Sequence, residues 1–192
     1  MLPTDEDLWD RLRQGDRDAL GELATRFFRP LLHYGTRFTA DHDLIKDTTQ
    51  ELLLALWQRR AQLSSTESVK LYLFKALRHR LFKSFKQAER LRHDWTEDDL
   101  PILGEELPFV EQQQQSFNLT RLNHRLAQLT DRQREILYLR YYENLSYEEI
   151  AQLTGINRQS VANTLTRTLD KLRENWIVVV WLLEMGTDVL DF

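Results

Sequence analysis

The chain has 192 residues, 42% of them hydrophobic and 29% charged, with no cysteine and a formal net charge of −4. That composition supplies material for a folded core and excludes disulfides, thiolate metal sites and cysteine nucleophiles. The acidic opening MLPTDEDLWDRLRQGD lacks the apolar run of a signal peptide, and the longest apolar run, Trp176–Leu183, is too short to span a bilayer. A cytoplasmic soluble protein without membrane insertion is expected.

Six glycines and four prolines imply few turns, and strand-type alternation is scarce, so the fold class expected is all-α. In chain order, breaks near Pro30, Gly35, Ala40-Asp41 and Ser64-Ser65 set predicted helices at about 5–13, 16–38, 42–62 and 66–92. Within the third, LIKDTTQELLLALWQRRAQL, a buried stripe of Ile45, Leu52, Leu53, Leu56 and Leu63 is predicted. Asp47, Gln50, Glu51, Leu54, Gln58 and Arg59 fall on the remaining faces, where a solvated surface is the plain reading.

The fourth, Lys70–Arg92, carries eight Lys/Arg against the single acid Glu89, with Tyr72, Phe74, His79, Phe82 and Phe85 interleaved. Basic residues track phosphates and aromatic faces stack on unpaired bases, a mixture suited to single-stranded nucleic acid. Leu73, Leu77, Leu81 and several of the aromatics also fit a core stripe.

Net charge is unevenly spread. Residues 1–93 hold 17 basic and 13 acidic residues, 94–116 hold seven acidic and none basic, and 117–192 hold nine basic and ten acidic. The middle stretch, DWTEDDLPILGEELPFVEQQQQS, has no helical period and reads as an acidic linker between two small helical domains, 1–93 and 117–175. Residues 176–192 form an apolar tail, either an extra turn covering the C-terminal domain or an interface.

In LTDRQREILYLRYYENLSYEEIAQLTGINRQSVANTLTRTLDKLRE, residues 129–174, Ser146 and Glu149 form a capping box. Gly155 supplies a turn residue, and Asn157 caps a second helix with Val161, Leu165, Leu169 and Leu172 on one face. Arg158, Gln159, Ala162, Asn163, Thr166 and Arg167 point outward. This spacing fits a helix-turn-helix whose second helix enters a DNA major groove, and equally an αα-hairpin within a core.

Taken in order, LLLALWQRR, the aromatic-basic helix, the acidic linker and the C-terminal helix-turn-helix resemble the bacterial extracytoplasmic-function sigma factors, over about residues 9–174. The resemblance implies a two-domain all-α protein that directs RNA polymerase to promoters in transcription initiation. It implies that Asp47, Gln50 and Glu51, matching a D-x-x-Q-E pattern, dock on the clamp of the polymerase core. It places Lys75, Arg78, His79, Phe82, Lys83 and Lys86 against the melted −10 strand, with His79 and Lys83 departing from the Asn and Asp common in the family. It places Arg158, Gln159, Ser160, Asn163, Thr164 and Arg167 against the −35 duplex, while Ala162 and Thr164 stand where the family is often basic. An anti-sigma factor is a further candidate partner. The linker would thread toward the polymerase channel, or fold back on the basic helix in the free protein.

No catalytic residue, metal or cofactor is expected. The five histidines are scattered, and Asp41-His42-Asp43 reads as helix capping before it reads as a metal site. Two other readings stay open: an autonomous helix-turn-helix regulator of a palindrome, and a helical protein-interaction scaffold.

Overall fold

A computed structural model describes residues 2–90 and 128–173, with side chains through 87 and 172. The chain divides into two compact units, 1–105 and 106–192. The predicted linker 94–116 and tail 176–192 lie outside the described residues. All regular structure among those residues is helical.

In the first unit, α1 (Asp5–Arg13) begins with a reciprocal box between Thr4 and Asp7. The next helix, α2 (Arg17–Gly35), is capped by Asp16, whose Oδ1 accepts from the backbone of Asp18 and Ala19. Pro30 lies inside α2 and does not end it, although it removes one ladder hydrogen bond. The helix stops at Gly35, three residues short of the sequence expectation. Asp41 caps α3 (His42–Arg59) by accepting from Leu44 N at 2.9 Å, and a 3-10 turn covers Arg60–Gln62. Asp41, His42 and Asp43 are exposed, and no cluster of metal-type ligands occurs among the described residues. The fourth helix, α4, spans Val69–Arg90.

Val69, Leu73, Leu77 and Leu81 recur every fourth position and line one face of α4, all essentially buried, with Phe74 beside them. This stripe closes a core shared with α1, α2 and α3. Tyr34 of α2 stacks on Phe74 with centroids 4.9 Å apart. From α1, Trp9 is 1% exposed and its indole Nε1 donates to the Ser64 carbonyl at 2.9 Å. Arg13 Nε donates to the Leu63 carbonyl at 2.8 Å, so α1 grips the connection between α3 and α4 at two adjacent carbonyls. Where α2 meets α3 the Ile45 side chain packs onto the backbone of Gly35: a Cβ there would stand 2.3 Å from Ile45 Cγ2.

In α3 the core takes Ile45, Thr48, Thr49, Leu52 and Leu56. Leu53 and Leu63, expected in the stripe, are only half-buried. At 100° per residue Leu53 turns away from the line that Ile45, Leu52 and Leu56 share, and the threonine hydroxyl of Thr49 is accommodated in the core by donating to the Ile45 carbonyl.

The Arg11 guanidinium donates to Asp16 at 2.8 Å, and this bond holds the Asp16 carboxyl below its ordinary 3.8, helped by the Ala19 and Asp18 amides. The unfolded chain therefore takes up this proton before the folded one, and the stabilisation from Asp16 is full above about pH 4 and lost as pH falls further. D16N should lower the melting temperature at pH 7, and the gap to wild type should narrow as melts are repeated toward pH 3.

The second unit holds α5 (Asp131–Tyr141), α6 (Tyr147–Thr154) and α7 (Arg158–Arg173), each in contact with the other two. Thr130 and Gln133 box the start of α5, and Ser146 and Glu149 box the start of α6. Gly155 ends α6 in the left-handed conformation at φ 76°, where a side chain would be strained. Asn157 Oδ1 accepts from Ser160 N at 2.7 Å and starts α7. Val161, Leu165 and Leu172 are buried, but Leu169 is half-buried and Thr168 takes the fully buried place. Its hydroxyl is satisfied within the helix by the Thr164 carbonyl at 2.7 Å, which lets a polar residue face the core.

Candidate nucleic-acid interface

Two surfaces of the first unit carry the predicted site residues. On α3, Asp47, Gln50 and Glu51 are all exposed and, at i, i+3 and i+4, share one face. Leu54, 56% exposed, extends that face by a turn and Gln58 by another. Leu54 is thus an exposed apolar side chain among acids and amides.

On α4, Lys75, His79, Lys83 and Lys86 are exposed, whereas Arg78 and Phe82 are half-buried. The latter two form a small stack on the core's edge. The Arg78 guanidinium carbon lies 4.5 Å from the Phe82 ring centroid, and Phe82 meets Phe38, in the turn after α2, edge-on at 5.5 Å and Phe85 at 6.0 Å. Phe82 thus has a cation over its ring and two further rings packed around it. Phe74, one of the aromatics that could have met bases, is wholly buried, and Tyr72 is 38% exposed with its ring against Trp9 at 4.8 Å. The accessible character of α4 is therefore cationic. The lysines from 75 to 86 follow the helix for about 16 Å, a length set by its 1.5 Å rise per residue.

Arg80 sits on the flank of α4 nearest α3 and reaches Glu51 at 3.9 Å. That contact, not foreseen from the sequence, joins the acidic patch of α3 to the basic helix.

In the second unit, α6, the turn at Gly155 and α7 form a helix-turn-helix. Arg158, Gln159, Asn163 and Arg167 are exposed on α7, while Ser160 and Thr164 are half-buried. Backbone groups of the last two serve the helix itself: Ser160 N is capped by Asn157, and the Thr164 carbonyl accepts from Thr168. Gln159 Nε2 donates to Asn163 Oδ1 at 3.2 Å, and Arg158 Nε donates to Glu148 of α6. Arginine paired bidentately with guanine, and asparagine or glutamine with adenine, are the side-chain chemistries that read duplex base edges.

Behind this face, Arg132 of α5 reaches the Thr154 carbonyl at 2.9 Å and Glu135 at 3.2 Å. Arg140 donates to the Leu145 carbonyl at 3.0 Å. These two arginines tie α5 to both ends of α6. Sequence reading gave neither a role, since an arginine anchored on a distant carbonyl leaves no periodic signal.

Comparison with known proteins decides among the readings. Residues 111–172 match the Sigma-70, region 4 family, a span that contains the whole helix-turn-helix. Over most of its length the chain is similar to RNA polymerase sigma factors. It is 26% identical over 165 residues to the RNA polymerase sigma factor YlaC of Bacillus subtilis, an alignment covering 83% of this chain and 92% of that protein. With the RNA polymerase sigma factor NccH of Alcaligenes xylosoxydans xylosoxydans it shares 24% identity over 171 residues, 88% of this chain and 92% of the relative. The fold is that of the sigma factor RpoE of Bartonella quintana, solved in complex with the anti-sigma factor NepR, at a TM-score of 0.59 and 21% identity over 85% of this chain and 96% of that one. No helix among the described residues is long and apolar enough to cross a membrane.

Proposed function

We propose that the two units divide promoter recognition between them, with domain limits at 1–93 and 117–175 around the acidic segment 94–116. The α3 face of Asp47, Gln50, Glu51 and Leu54 docks on the core of RNA polymerase. The α4 residues Lys75, Arg78, His79, Phe82, Lys83 and Lys86 hold the melted −10 strand. The α7 residues Arg158, Gln159, Ser160, Asn163, Thr164 and Arg167 meet the −35 duplex, with Arg158, Gln159, Asn163 and Arg167 nearest the bases and the half-buried Ser160 and Thr164 supporting them.

The observation that carries this reading is the pairing of two different cationic surfaces. The stripe on α4 is made of flexible lysines around a packed ring, which suits a backbone of variable sequence and an unpaired base. The face on α7 carries planar Arg, Gln and Asn groups on a rigid helix, which suits base edges in a groove. Strand opening then follows from preferential binding of the open form, as a minor state is drawn out by whatever binds it better. The protein contributes no catalytic chemistry in this scheme and works in the cytoplasm, where the polymerase is. Because the RpoE structure carries NepR, an anti-sigma partner is a natural regulator here as well.

Run-off transcription with bacterial core polymerase on a pool of genomic promoters tests the scheme. New discrete transcripts that depend on this protein are expected. Tight duplex binding by the protein alone with no new transcripts would instead mark an autonomous regulator.

A further inference from the structure

Glu148 stands on α6, outside every surface assigned above, yet it is the residue that touches the recognition helix's first arginine. Its Oε1 accepts from Arg158 Nε, and both side chains remain mostly exposed, 57% for Glu148 and 62% for Arg158. Glu148 follows the Ser146 cap by two residues and Arg158 follows the Asn157 cap by one, so each charge is held at the opening turn of a helix whose start is fixed by a side-chain cap. The pair bridges the turn of the helix-turn-helix at its outer surface.

A carboxylate is a poor neighbour for DNA phosphates, so its place on this surface calls for a reason. The contact supplies one. A guanidinium has five N–H donors, and Glu148 engages the one on Nε. The Nη groups at the far end of the fork are the ones that pair with the O6 and N7 of guanine. A free arginine must surrender its rotamer freedom on binding, whereas one already held by its inner edge surrenders less. The neighbouring Gln159–Asn163 bond presets the next side chains along the same face. Its own backbone amide first, and then the hydrogen bond and charge of Arg158, hold the Glu148 carboxyl below its ordinary 4.5, so it stays an acceptor at any physiological pH.

We propose that Glu148 is a positioning residue for base reading: it holds Arg158 by the Nε edge and leaves the Nη pair to read one base pair of the upstream promoter element. The inference rests on the assignment of α7 to that duplex. It also predicts two effects of opposite sign. Glu148 sharpens discrimination through Arg158, and at the same time weakens sequence-independent attraction to the phosphates.

The test is selection from duplexes randomised in the upstream promoter region, using the full-length protein bound to core polymerase, together with affinity for a random-sequence duplex. E148Q keeps the shape and removes the charge. It should cut the preference at one base pair about three- to fivefold, the scale of an exposed ion pair that also preorganises a side chain, while binding to random duplex rises. R158A should erase the preference at that same base pair, and adding E148Q to R158A should change it no further. An unchanged preference in E148Q overturns the inference. So does a parallel rise of specific and random binding, which would make Glu148 a shield, or a parallel fall, which would make it a structural support. If the wild-type assembly enriches no upstream sequence at all, the assignment of α7 fails together with the inference; a wild-type preference indifferent to Glu148 overturns the inference alone.

Discussion

In the run-off assay, D47A/Q50A/E51A should lose promoter-directed transcription by about thirtyfold or more, the scale expected when a cluster of interface residues worth some 2 kcal/mol is truncated. All three side chains are exposed on one face of α3 and none contributes to the core, so the variant should melt like wild type. Glu51 has one further contact, at 3.9 Å to Arg80, with its side chain 73% exposed. A pair so open to solvent and so long adds little to folding. The loss should therefore appear as failure to co-elute with core polymerase while binding to upstream duplex by the free protein is retained. Loss of transcription with full retention on the polymerase would place the docking surface elsewhere.

A comparably large effect, on stability, is expected at Gly35. An added Cβ would meet Ile45 Cγ2 at 2.3 Å and Cγ1 and Cβ at 3.2 and 3.3 Å. Ile45 is 1% exposed and cannot swing aside into solvent. Overpacking of this kind costs about 1–3 kcal/mol, offset in part by the roughly 0.5–1 kcal/mol that alanine gains over glycine inside a helix. G35A should lower the melting temperature of the first unit by about 5–10 °C, since 1 kcal/mol corresponds to about 4–8 °C in a unit of this size. The cause can be isolated by a cycle with I45A, which removes the two atoms in closest approach. In that background G35A should be close to neutral or stabilising. Equal losses in both backgrounds would show that the close approach of Ile45 to Gly35 does not set the cost.

The local signals along this chain were legible because they are chemical and short-ranged. Asp41, Ser146 and Asn157 cap helices, and Gly155 turns one, since each does so through its own backbone or an amide two or three residues away. Burial was less legible. Leu53 and Leu169 are as apolar as their neighbours, but the width of a helical stripe depends on what packs against it, and Thr168 reaches the core because its hydroxyl is served by its own helix. Pro30 looked like a break and lies within α2, where tertiary packing outweighs one lost hydrogen bond. On α4 the basic residues could be read as a surface, but composition could not show that Phe74 is spent on the core while Phe82 stays at its edge. Contacts between separate helices, Glu51 with Arg80 and Glu148 with Arg158, have no period to betray them.

The grip of α1 on the carbonyls of Leu63 and Ser64 has a mechanical meaning. The connection between α3 and α4 is short, and two side chains from a third helix, Trp9 and Arg13, pin its backbone at consecutive residues. Bending at that elbow would have to break both hydrogen bonds. The face of α3 and the stripe of α4 are thus two arms of one bracket whose elbow is braced by a third helix. If α3 seats on polymerase and α4 on the strand, as proposed, the first contact sets where along the DNA the second arm comes to rest, in the way a carpenter's square transfers a line from one edge to another.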